Sequence, residues 1–468
     1  MISDRLRARL LATLGLAAIA LVTVALPVRV GAEHDPLAYG FGTRSGVLDS
    51  GMHYVLHPVG ELPVVAMQLW FRVPSTGFDA PPQPSIALYA ARSVAAATPV
   101  GGASLETAVA AVGGSLQIDA SADAVSVAVT APSAEAPALL AALRAAYAAP
   151  LIDDAGMKQA LASLARQALL HQVDPLQSIQ DAIFSQLFVS GAAHEARFDL
   201  LSLSRVTSKA LHLFAQRAFR PSNTILVVSG AVDPTLLTLP THLPTTEADV
   251  PERVIDSVPR VFDGTPFASS SVLLPLSTQQ IDGVLPGIGY GWLGPPIRRE
   301  ADATALDFLA DYLFDPTTGL IARRFQEHGI DAWMQGQFIT LHGAGVFTVG
   351  VVGLSTDRLM PSILGQALKD LEQPLDDATF SEARALFWAH LVRQIATPDG
   401  YASSIGWYAA EDDPLYAPGV DGETGEYARM VEELTPRSVA AVVRRYLTSV
   451  HPACVQVHTS HTAMTTPS

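Results

Sequence analysis

The chain has 468 residues, 29 Lys and Arg against 45 Asp and Glu, a formal net charge of −16 and an apolar fraction of 49%. That length suits two or more domains, and so large an apolar share supplies a substantial core, which excludes a disordered tail protein. One cysteine cannot build a disulfide framework or a Cys-rich zinc module, and an acidic chain whose only lysines are Lys158, Lys209 and Lys369 argues against a nucleic-acid partner.

Residues 1–32 carry Arg5, Arg7 and Arg9, then an uncharged apolar run from Leu10 to Leu26, then the small residues Gly31 and Ala32. This is the pattern of a secretory signal peptide. The run is long for a signal, so an uncleaved membrane anchor is the alternative. The expected location is the periplasm.

Two stretches of about 200 residues then carry the same signals in the same order. The first opens with an alternating strand, Val64 to Val73, followed by a Pro- and Gly-rich turn and a helical run from Ser85 to Thr98. Gly113-Gly114 precede a second alternating stretch, Leu116 to Val129. Leu139, Leu140, Leu143 and Tyr147 then fall on one helix face, and Pro150-Leu151-Ile152-Asp153-Asp154 opens a longer helix. In the second stretch a strand ends between Gly289 and Gly294, and Ala301 to Phe314 reads as helix. Gly329 precedes an alternating run through Phe347, and Ile363, Leu364, Ala367 and Leu371 form a stripe. Pro374-Leu375-Asp376-Asp377 opens the last of the repeated helices. The expected fold is α+β: two homologous halves, each a mostly antiparallel sheet with helices packed on one face. The expected division is a signal peptide over 1–32, an N-terminal domain over 33–235, a Pro-rich linker over 236–264 and a C-terminal domain over 265–468.

Residue chemistry alone yields no convincing active site. The thirteen histidines are scattered, and no two stand four apart on a helix with a carboxylate beside them. His451, Cys454, His458 and His461 form the densest set of ligand types, more simply read as a terminal strand and its tail than as a metal site. His53 and His57 share a strand face and read as surface residues. No Gly-x-Ser-x-Gly elbow occurs, and Gly287, Gly289 and Gly291 are followed by Pro295-Pro296 rather than by a phosphate-binding helix. Trp70, Trp292, Trp333, Trp388 and Trp407 read as core or interface anchors.

Trp70-Phe71-Arg72-Val73, the Pro-rich turn and Ser85-Ile86-Ala87-Leu88-Tyr89-Ala90-Ala91-Arg92 resemble the insulinase/pitrilysin metallopeptidases, specifically secreted bacterial members of this size. Family members carry an inverted zinc motif, His-x-x-Glu-His, in that helix. Its positions fall here on Leu88, Ala91 and Arg92, with Thr98 in register. The third ligand, a Glu, falls on Arg166 or Gln167, ahead of Asp174-Pro175. Gly113-Gly114-Ser115-Leu116-Gln117 and Ser121-Ala122-Asp123 resemble the family's edge-strand stretch, with Gln117 in place of the usual Asn. The resemblance therefore implies peptide binding at Gly114, Ser115, Leu116, Gln117 and Ser121. The Arg and Tyr that assist from the second half are not kept: counting back from Trp333 gives Gln326, with Arg323 and Arg324 nearby.

An aliphatic group and a guanidinium cannot hold zinc. The resemblance thus implies a chain without catalytic residues or a metal of its own. It would pair as a heterodimer with a zinc-bearing paralogue, or form a homodimer, to enclose a chamber for unfolded peptides. The alternatives are a non-enzymatic assembly protein of the same fold and a peptidase using another site. Arg92 either is a solvated helix residue, or fills the vacated metal position or contacts a partner.

Overall fold

The apolar runs become the strands of two sheets built in the same order. In the computed structural model the described residues are 43–48, 50–59, 62–78, 83–99, 102–194, 200–233, 257–260, 270–273, 286–353, 355–411 and 426–458. The signal-peptide segment and most of the expected linker lie outside them.

The first half begins with β1 (Arg44–Val47), β2 (His53–Pro58) and β3 (Val64–Phe71), then α1 (Ile86–Ala96) and α2 (Leu105–Ala111). The hairpin of β4 (Ser115–Ala120) and β5 (Val125–Pro132) leads to α3 (Ala136–Ala148), α4 (Asp154–Val173) and α5 (Pro175–Leu187). Then come β6 (Phe188–Ser190), α6 (Leu200–Ser204), α7 (Ser208–Ala218) and β7 (Thr224–Gly230). Inside the expected linker, β8 (Val258–Pro259) pairs with β6. The second half contains β9 (Ser270–Leu273), β10 (Gly287–Leu293), α8 (Glu300–Phe314), α9 (Leu320–Glu327), β11 (Trp333–Ile339) and β12 (Val346–Val352). It closes with α10 (Thr356–Asp370), α11 (Asp377–Ile395), α12 (Pro398–Ala410), α13 (Glu426–Glu433), α14 (Pro436–Val442) and β13 (Ala453–His458).

The first sheet has the order β1-β2-β7-β3-β5-β4 and the second β11-β12-β10-β13-β9. Read from its β4 end, the first five strands of the first sheet match the second sheet in order, as an outer hairpin, a central strand, a late strand and one parallel partner, and β1 is added beyond them. The paired Asp words at the long helices do the same work twice. Asp153 accepts from the Gly156 amide (2.6 Å) and Asp376 from the Thr379 amide (2.9 Å), each capping the helix that follows.

Each sheet packs one face on its own helices, burying Met67, Leu69, Leu88 and Val127 in the first half and Phe308, Phe347 and Leu313 in the second. The other face is also covered, by one helix from the opposite half. This follows from β7 and β12, which are apolar on both faces and buried along their whole length. α5 lies across β10, β12 and β13, and α12 across β3 and β7. Gly289 and Gly291 let α5 approach. A Cβ on either would fall 2.1 Å from the side chain of Ile179 or Ile183 respectively. The triple glycine of β10 is thus a helix cradle. His57 departs from the surface reading: it is 5% exposed, stacked on Tyr401 of α12 with ring centroids 3.8 Å apart, its Nδ1 2.8 Å from Thr43 Oγ1. Trp333 departs the other way, standing 48% exposed on an edge strand. No helix among the described residues is long and apolar enough to cross a membrane.

Candidate functional site

The helix that resembles a zinc motif, α1, is almost wholly apolar, because it runs beneath the first sheet. Leu88 and Ala91 are core residues, 5% and 0% exposed, and Tyr147 donates its hydroxyl to the Ala91 carbonyl (2.8 Å). Arg92 is the one charged residue on α1, and it turns toward the sheet edge. Its Nη1 donates to Ser163 Oγ on α4 (2.8 Å) and its Nη2 to the Ile118 carbonyl on β4 (3.2 Å), while Nε is buried without a partner. Burial lowers the Arg92 pKa, and the charges of Asp119 and Glu106 oppose that shift. A guanidinium remains protonated under such perturbation. Arg92 is therefore half-buried and pinned between helix and strand, not a freely solvated side chain.

These groups border a cleft of about 420 Å³, lined among others by Arg92, Glu106, Leu116, Ile118, Asp119 and Ser163. Glu106, in the first turn of α2, accepts from the Gln159 amide, and burial raises its pKa. Asp119 accepts from the Gln117 amide (2.6 Å).

β4 is the outermost strand beside the cleft. The Ser121 amide donates to the Ala124 carbonyl at the hairpin end, which makes that a hydrogen-bonded pair. With the antiparallel alternation, Leu116, Ile118 and Ala120 then direct their N–H and C=O groups away from β5. Arg92 occupies one of these outward groups, the Ile118 carbonyl.

Of the residues expected from the sequence, Gly114, Leu116 and Gln117 line the cleft. Ser115 is exposed on β4. Ser121 instead closes the hairpin, its hydroxyl bonding both the amide and the carbonyl of Ala124. Gly113 takes φ 71° to make the turn from α2 into β4, and a Cβ on Gly114 would press on the Thr130 carbonyl at 3.0 Å. Gln167 is half-buried with Oε1 unpartnered, and Arg166 is exposed, so the residue of α4 that faces Arg92 is Ser163. Sequence reading missed Ser163, Glu106 and Asp119. Ser163 lies one helical turn before Gln167, and that spacing was its only signal. Arg323 and Gln326 are exposed on α9, and Arg324 approaches Asp370 at 3.9 Å.

No donor set for zinc survives at the motif positions. Leu88 and Ala91 offer no ligand atom, and Arg92 places a fixed positive charge beside them, so these residues do not fit the ion. At the C-terminal set, Cys454 is half-buried on β13 and bonds the Tyr290 hydroxyl, and His451 is exposed. The side chain of His458 and all of His461 lie outside the described residues. Asp311, Asp315 and His390 also cluster, with His390 Nδ1 2.6 Å from Asp311 and 3.7 Å from Asp315. Asp315 accepts from the amides of Thr317 and Thr318 at the end of α8, so hydrogen bonding accounts for the group.

This chain has the fold of insulinase-family, M16-like peptidases. A protease from Helicobacter pylori superposes with a TM-score of 0.76 at 15% identity, covering 89% of this chain and 99% of its own. An M16-like peptidase from Alicyclobacillus acidocaldarius gives 0.71 at 16% identity, covering 89% and 98%. A peptidase M16 inactive domain from Pseudomonas fluorescens gives 0.69 at 14% identity, covering 89% and 98%. No family model and no curated protein matches the sequence.

Proposed function

We propose that this chain is a catalytically silent peptide-holding subunit, exported to the periplasm, that pairs with a zinc-bearing paralogue to enclose an unfolded peptide. Arg92 carries the reading. Where relatives bind a cation, this chain holds its own, tied to Ser163 and to the edge strand. Zinc, and the water it activates, would sit on the paralogue. This chain contributes a wall and a strand edge. A peptide adds to β4 main chain to main chain, using the outward groups of Leu116 and Ala120 and the Ile118 amide. The M16 inactive domain among the similar folds is consistent with such a division of labour.

The test uses the purified mature chain, alone and co-expressed with a paralogue that has an intact His-x-x-Glu-His motif. The chain alone is expected to contain no stoichiometric zinc and to leave unfolded peptides intact. The co-expressed pair is expected to co-purify and to cleave them in a chelator-sensitive way. Chelator-sensitive cleavage by the isolated chain would overturn the proposal.

A further inference from the structure

The cleft beside β4 carries more negative than positive charge. Its ionisable side chains are Glu106, Asp119 and Arg92. Both carboxylates accept from neutral amides, those of Gln159 and Gln117, and Arg92 donates to a hydroxyl and a carbonyl rather than to either acid. Two carboxylates against one guanidinium leave one negative charge unmatched in a space partly shielded from water. The net charge of the whole chain, −16, points the same way.

The two acids also bracket the edge. Leu116 and Ile118 turn their side chains toward the helices, where Glu106 sits at the start of α2. Gln117 and Asp119 project from the opposite side of the strand. A strand added to β4 alternates its own side chains between those two sides. Every register therefore brings successive side chains past one acid or the other. An acidic side chain would meet two like charges, with Arg92 Nη1 and Nη2 already bonded to Ser163 and the Ile118 carbonyl.

Resting on the reading of β4 as a peptide-pairing edge, we infer that the cleft selects extended peptides bearing a Lys or Arg, whose charge Glu106 or Asp119 receives. One added positive charge brings the cleft to neutrality, with Arg92 as its resident counter-charge.

The test is fluorescence anisotropy with the full chain and three labelled, unstructured peptides that differ only in a central Lys, norleucine or Glu. The expected order is Lys, then norleucine, then Glu, with about 1.5- to fivefold between the first two at low salt, the range of a solvent-accessible ion pair. Raising the salt shrinks that ratio. Glu106→Gln and Asp119→Asn each reduce the Lys-to-norleucine ratio, whereas Glu382→Gln, at an exposed site on α11, leaves it unchanged. Equal binding of all three peptides, or preference for Glu, overturns the charge selection while leaving the edge reading intact. Failure of every peptide to bind overturns the edge reading, and the inference with it.

Discussion

Gly406→Ala sets two well-characterised effects against each other. Gly406 lies on α12, where an alanine improves helix propensity by up to about 1 kcal/mol. Its added Cβ would lie 1.9 Å from Trp70 Nε1 on β3, so ring and helix must separate by roughly 1.5 Å to reach ordinary contact. Trp70 is 8% exposed and cannot swing into solvent without cost. Its indole donates to Gln68 Oε1 (2.9 Å), and Gln68 in turn donates to Asp399 (3.1 Å) and Ser403 (2.9 Å) on α12. Overpacking at such a contact costs about 1–3 kcal/mol, and disturbing the indole bond adds about 1 kcal/mol. Packing should win, leaving the variant about 1–3 kcal/mol less stable. Urea unfolding followed by tryptophan fluorescence reads this directly, since Trp70 and Trp407 stand at the contact. Gly365→Ala is the matched control: this exposed position on α10 has nothing near its added Cβ, so the propensity gain should appear alone. A Gly406→Ala variant as stable as Gly365→Ala would refute the seating of α12 on the first sheet.

A buried group and a half-buried group give opposite pH dependence. Burial lowers His57 to about 4 from 6.5, so the unfolded chain binds the extra proton between those values, and this contribution to stability is lost as pH falls through that window. Burial pushes Asp307 up to about 7 from 3.8, so its contribution is lost as pH rises from about 4 to 7. Unfolding free energies measured across pH 4–7 should therefore rise with pH more steeply in Asp307→Asn, and less steeply in His57→Phe, than in the parent. Parallel curves would contradict both shifts. Ile183→Ala, at a fully buried position of α5 against the Gly291 cradle, should cost about 2–5 kcal/mol in urea unfolding, and a cost under 1 kcal/mol would mean that α5 does not fill that cradle. Asp153→Ala removes the cap on Gly156 and should cost about 1 kcal/mol by the same assay, with no loss expected if α4 begins elsewhere.

Local rules made much of the architecture legible in advance. The strand at Val64, the helix around Leu88, the stripe Leu139-Leu140-Leu143-Tyr147 and the Asp-capped helices at 154 and 377 follow from periodicity and capping, which short segments carry by themselves. The repeat in the sequence also anticipated two sheets of matching order. The stretch from Leu116 to Val129 was less transparent. It alternates without a break as far as Ala124, yet Ser121 to Ala124 turn it into a hairpin, because the Ser121 side chain can bond the backbone three residues on. His57 looked like a surface residue because its strand neighbours say nothing of Tyr401, which arrives from more than 300 residues away.

The candidate site divides in the same manner. That Leu88, Ala91 and Arg92 cannot hold zinc is a statement about side-chain chemistry, and the sequence by itself determined it. Where the Arg92 charge goes was settled only by tertiary packing. α4 brings Ser163 rather than Gln167 to Arg92, and the hairpin presents the Ile118 carbonyl to the guanidinium, while α2 sets Glu106 at the same cleft. Helix crossing points and strand-edge polarity depend on contacts far apart along the chain, so no local pattern encodes them.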